Sequence, residues 1–160
     1  MQLLIKASID TLRKSESLLE QISNEELMNT SIGPYYSSIG SHIRHIYDFY
    51  NCIFREVNGV IDLTARERNT EVESCCKSAQ NYLKFILSRL NEYNYDENNI
   101  IVIDNLGNGK TEINYTIEAL FAQANSHTIH HYAIINYIID QLGIKLKDCS
   151  FGYNPSTPRN

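Results

Sequence analysis

An all-α four-helix bundle is the fold class this sequence predicts, on three observations. Four long segments carry apolar residues at the three- and four-residue spacing of amphipathic helices. Helix-stopping residues fall where those segments end, at Gly33-Pro34, Asn58-Gly59 and Gly143. The connection between the third and fourth segments is too long for a tight turn and reads as a crossover, with room for a short hairpin. The 160 residues fit one domain, 1–160, whose end, about 144–160, holds Pro155 and Pro158 and reads as an irregular tail.

The first helix is predicted over about residues 3–22, with Ile5, Ile9, Leu12, Leu19 and Ile22 inward and Lys6, Arg13, Lys14 and Glu20 solvated. Ser23 and Glu26 have the spacing of a capping box for a further turn through Leu27. Ser37 or Ser38 caps a second helix, about 38–57, whose stripe is Ile39, Ile43, Ile46, Tyr50, Ile53 and Val57. The stretch 60–69 is read as a connection with its charge in Arg66, Glu67 and Arg68. Asp62 and Glu73 have the end-to-end spacing of a calcium loop, but Thr64 and Arg66 replace oxygen donors and Glu67 replaces the required glycine, so that match is rejected. Thr70 with Glu73 predicts another capping box, opening a third helix to about residue 90 with Val72, Cys76, Ala79, Leu83, Ile86 and Leu90 inside. Beyond Tyr93, short β-branched and alternating stretches at 100–104 and 111–115 flank Gly107-Asn108-Gly109, the pattern of a small hairpin or an irregular crossover. The fourth helix runs from a Thr116 cap to about Gln141.

A net charge of −5 with no long basic run argues against nucleic acids and anionic membranes as partners, since phosphate neutralisation needs clustered Lys and Arg. No apolar run approaches the ~20 residues of a membrane span. The apolar start of the chain is followed at helical spacing by Asp10, Arg13, Lys14 and Glu16, where a leader's cleavage region would lie, so a cytoplasmic protein is expected. Four cysteines without a C-x-x-C pair fit reduced, structural thiols.

All five histidines lie in two of the predicted helices, His42 and His45 in the second, His127, His130 and His131 in the fourth. At about 100° per residue, His127 and His131 project within about 40° of each other and can share one ion, while His130 points about 60° to the other side of His127 and is a neighbour. Leu120, Ala124, Ile134 and Ile138 share the face of His127, so the pair interrupts an apolar stripe and points inward. An inward imidazole is often a core residue bonded to backbone. Two inward clusters on two helices point instead to a metal, because several buried imidazoles in one place need partners or a cation. In the second helix, His42 lies about 40° and His45 about 100° from the stripe centre at Ile46, so periodicity alone favours His42; the flank shared with Ser38 and Phe49 leaves His45 open. Ser126 directly precedes His127, and neighbouring helix directions aim the two apart, so no Ser-His nucleophile is assigned.

The stretch 38–48 (S-I-G-S-H-I-R-H-I-Y-D), the loop Ala65-Arg66-Glu67-Arg68, the stretch 126–133 (S-H-T-I-H-H-Y-A) and the tail residues Phe151-Gly152 and Pro155-Ser156-Thr157 together resemble the DinB/YfiT-like family of metal-binding four-helix-bundle proteins. In that pattern the ligand histidine of the second helix is followed by an aliphatic residue and, two further on, an acid. His45-Ile46-Tyr47-Asp48 matches and His42-Ile43-Arg44-His45 does not, so the resemblance implies His45, His127 and His131 as ligands of a divalent ion, zinc, nickel or iron. Three imidazoles leave coordination positions open, as in catalytic zinc sites. The resemblance therefore implies a metal-dependent enzyme of thiol transfer or hydrolysis, with a low-molecular-weight thiol or another small molecule as substrate. The alternative is a non-enzymatic dimeric bundle in which the ion is structural. No catalytic side chain is assigned. Arg66 and Arg68 either hold carboxylates of a co-substrate or pair with Glu67, Glu71 or Asp62; Asp48 either orients His45 or faces solvent; His42 and His130 neighbour the site. A homodimer is expected from aromatic surface at Tyr82, Phe85 and Tyr93. Stabilisation by the ion is expected to fade below a pH of about 6.5, where a free imidazole protonates.

Overall fold

Burial of the predicted apolar stripes organises the computed structural model, which describes residues 1–94 and 99–158; part of the predicted crossover, 95–98, and the last two tail residues lie outside them. The elements are α1 (Gln2–Leu19), α2 (Asn24–Met28), α3 (Ile39–Phe54), β1 (Val60–Asp62), α4 (Glu71–Ser74), α5 (Cys76–Asn91), β2 (Asn99–Asn105), β3 (Lys110–Thr116) and α6 (Ile117–Gln141). The long helices α1 and α3 each pack against both α5 and α6. Leu12, Ile43, Ile46, Ile53, Leu83, Ile86, Phe121 and Ile135 lie in the resulting core, fully or almost fully buried.

The all-α class is overturned by a three-stranded mixed sheet in the order β1-β2-β3. The β2–β3 hairpin runs antiparallel from Asn99 opposite Thr116 to Asn105 opposite Lys110, while β1 pairs parallel with β2 through Val60 opposite Ile101 and Asp62 opposite Ile103. Periodicity could not reveal β1. Three residues with one buried side chain, Ile61, are too short to show alternation, and their partner strand is remote in sequence. Asn58-Gly59 does more than end a helix: with φ of 54° and 79° the two residues form the tight turn that lets Val57 pair with Val60 and sends the chain into the sheet.

The predicted third helix is two helices. Cys75 is extended (φ −137°, ψ 113°) and separates α4 from α5. The Thr70–Glu73 capping box is absent, because Glu73 binds the Arg44 guanidinium and the Asn69 side chain accepts from the Glu71 amide at 3.1 Å. The first amide of α5, that of Cys76, donates at 2.9 Å to the Asn24 side chain, a cap supplied from α2. The other predicted starts form as expected: Ser23 and Glu26 make a reciprocal capping box, Ser38 accepts from Ser41 at 3.0 Å, and Thr116 accepts from Ala119 at 3.2 Å. The tail docks on α6, with Phe151 buried and stacked on Tyr132 at 4.7 Å between ring centroids. Among the described residues no helix is long and apolar enough to cross a membrane.

Candidate metal centre

Helices α3 and α6 lie against each other, and each presents its histidines to the other. His45 comes from the second turn of α3; His127 and His131, one turn apart, come from the middle of α6. Ring centroids are 4.9 Å apart for His45 and His127, 4.7 Å for His45 and His131, and 4.5 Å for His127 and His131. One nitrogen from each ring lies within 4.8 Å of the other two, and all three residues are half-buried. Three nitrogens on a tetrahedral zinc, each at about 2.0–2.1 Å, stand roughly 3.3 Å apart, so side-chain rotation closes the set.

The three imidazoles are held differently. His127 packs against Phe49 at 5.1 Å between centroids, and its Nε2 is buried without a hydrogen-bond partner. A buried polar nitrogen left alone costs free energy that a bound cation would recover. His131 Nδ1 lies 2.8 Å from His42 Nδ1, and His42 Nε2 lies 2.7 Å from the Ser37 hydroxyl. The tautomer that keeps His131 Nε2 free to ligate puts its proton on Nδ1, donating to His42, which in turn donates from Nε2 to Ser37 Oγ. Such an acceptor behind a ligand fixes its ring and raises its basicity. His45 Nδ1 faces the Nη1 of Arg66 at 2.8 Å, and Arg66 is anchored through Nε to the Leu63 carbonyl at 3.1 Å. Leu63 is itself tied to the sheet by its amide, 2.9 Å from the Ile103 carbonyl.

Burial lowers the pKa of all three. His45 falls to about 3, first through burial and then through the charge of Arg66; His127 falls to about 4 for the same two reasons in the same order. His131 falls to about 2 through burial and the surrounding imidazoles. Near neutral pH the cluster is therefore uncharged, the state that coordinates a cation.

Neither protein-family models nor curated proteins match this chain. The site therefore rests on its own geometry. The structure brings His45, His127 and His131 together and adds His42 behind His131, while His130 is exposed with its ring 5.3 Å from that of His131. Asp48 makes no bond to His45: its buried carboxylate accepts from Arg44 at 2.7 Å and from the Tyr82 hydroxyl at 3.2 Å. Arg66 pairs with none of the acids foreseen for it; Glu67 meets Arg55 at 3.2 Å and Asp62 meets Lys110 at 3.1 Å. Arg68 is exposed, with a positive φ of 52°. Sequence reasoning missed the contacts of Arg66 and Ser37 with histidines. No periodic signal could have found them, because Arg66 arrives on a loop and Ser37 precedes the helix.

Proposed function

We propose that this chain binds a divalent ion through His45, His127 and His131 and works as a metal-dependent enzyme of thiol transfer or hydrolysis, in the manner implied by its resemblance to the DinB/YfiT-like proteins. The observation that carries the metal reading is the convergence of three neutral imidazoles, one of which, His127, has a buried Nε2 with no hydrogen-bond partner. Imidazole suits zinc, nickel and iron alike. An ion held by three protein ligands supplies Lewis acidity toward a carbonyl or a thiol at its open positions. The chain's own residues supply the rest: His42 and Ser37 keep the proton of His131 away from the ligating nitrogen, and Phe49 closes one side of His127.

Two features favour the enzymatic reading over a purely structural ion. The ligands are half-buried, and a cleft of about 580 Å³, lined by Pro34, Tyr35, Ser37, Ile134, Tyr137 and Ile138 and by none of the three ligands, is linked to them through Ser37 and His42. That volume suits a small molecule, and Ser37 joins the cleft to the His42–His131 pair. The test is elemental analysis of protein purified without a histidine tag or nickel column, followed by thiol-transfer and ester-hydrolysis assays with the ion restored. Ion-dependent turnover that His45→Ala abolishes is the expected result. Bound ion without turnover of any substrate would leave the structural role. A cytoplasmic homodimer is part of the proposal. Of the aromatic residues behind the dimer, Phe85 is exposed, whereas Tyr82 binds Asp48 and Tyr93 packs edge-on to Phe121, so sedimentation at micromolar concentration showing only monomer would remove it.

A further inference from the structure

A guanidinium has five N–H donors and no acceptor, and it stays protonated in proteins. The 2.8 Å contact between Arg66 Nη1 and His45 Nδ1 therefore has one polarity: Arg66 donates and Nδ1 accepts. An imidazolium would be a donor at both nitrogens, which this contact excludes. His45 is neutral with its single proton on Nε2. Neither nitrogen is then ready for a cation, because Nδ1 gives its lone pair to Arg66 and Nε2 carries hydrogen.

An ion could take His45 in two ways. Coordination by Nδ1 uses the lone pair that Arg66 occupies. Coordination by Nε2 requires the proton to move to Nδ1, where an N–H would face the N–H of Arg66. The guanidinium must leave in both cases. From these contacts we infer that Arg66 is a latch on the metal site: its bond to His45 and coordination of an ion by His45 are mutually exclusive, so loading swings the guanidinium away. The inference rests on the metal reading above and adds a residue that competes with the ion. Nε and Nη1 share one rigid plane, so the swing also disturbs the Nε bond to the Leu63 carbonyl, while the loop that carries Arg66 stays tied to β2 through the Leu63 amide.

The test compares zinc affinity, by competition with a chromophoric chelator, in the wild type, Arg66→Met and Arg68→Met. The second variant removes the same charge from the same loop at an exposed position, so it measures the general electrostatic effect. Giving up one charge-assisted hydrogen bond on loading is expected to cost the wild type about tenfold in affinity, so Arg66→Met should bind zinc about tenfold more tightly than Arg68→Met. Equal affinity in the two variants, or weaker binding by Arg66→Met, would overturn the latch while leaving the metal site standing. Absence of zinc binding in all three proteins would overturn the metal reading and the latch with it. Long-range proton–nitrogen NMR of the wild type supplies an arm that needs no variant: the metal-free protein should carry the His45 proton on Nε2, and a proton on Nδ1 would refute the inference.

Discussion

At the scale of single residues, the two histidines of α3 have separate jobs. His45 reaches both rings of α6, whereas His42 touches only His131 within hydrogen-bonding distance and passes the contact on to Ser37. His45→Ala is therefore expected to abolish ion binding. His42→Ala should leave the stoichiometry intact and weaken affinity about 10–100-fold, the usual effect of removing a partner behind a ligand. Metal titrations of both variants check this, and full loss with His42→Ala alone would reverse the two roles. The helical wheel favours His42 over His45 as the inward imidazole, but the two are half-buried alike, each followed by a buried isoleucine, Ile43 and Ile46. It could not report where α6 would lie. A wheel gives the angle of each side chain about its own axis, while a site between helices depends on the seam chosen by packing.

At the scale of elements, the seam beside the site is fixed by a close approach. A Cβ on Gly40 would stand 2.7 Å from the Glu73 carbonyl carbon, so α4 crosses α3 where only glycine fits, and Arg44 of α3 binds the Glu73 side chain. Gly40→Ala should destabilise the protein by about 1–3 kcal/mol through backbone overpacking. Helix propensity alone would make the same change favourable by ~1 kcal/mol, so a urea midpoint that rises would show the crossing to be slack. Most helix starts were legible because Ser23, Ser38 and Thr116 cap their own helices. The break at Cys75 was not, because the α5 cap comes from Asn24, and β1 escaped notice, although the β2–β3 hairpin had a local pattern, because β1 takes its hydrogen bonds from β2, far along the chain. Local patterns record what a segment does with its own residues. They are silent when the partner is remote.

For the whole molecule, the consequence is a pH dependence displaced from that of free imidazole. A histidine whose folded-state pKa lies below its unfolded value of about 6.5 binds protons more readily in the unfolded chain, so its stability contribution is complete above 6.5 and is lost as pH falls through the interval below. For His45, His127 and His131 that interval runs down to about 3, about 4 and about 2. The metal-free protein should accordingly lose melting temperature between pH 6.5 and 4 through these groups. The gap between loaded and metal-free protein behaves differently. An ion binding only the folded state adds about 4 kcal/mol at a thousandfold excess over Kd, and the folded site stays neutral until His127 begins to charge. The gap should therefore persist at pH 5, where free imidazoles would already be protonated, and shrink only toward pH 4. Melting curves with and without chelator at pH 7.5, 6, 5 and 4 check this, and a gap that vanishes by pH 6 would show that the histidines are as solvated as free imidazole.

Whether His45, His127 and His131 hold one ion between them is read from a zinc titration of metal-free wild type beside His127→Ala. His127 is the residue to remove, because its Nε2 has no hydrogen-bond partner to lose. One tightly bound ion per chain is expected in the wild type and none at the same free-zinc concentration in the variant. Equal binding by both proteins, or none by the wild type, would contradict a shared ion.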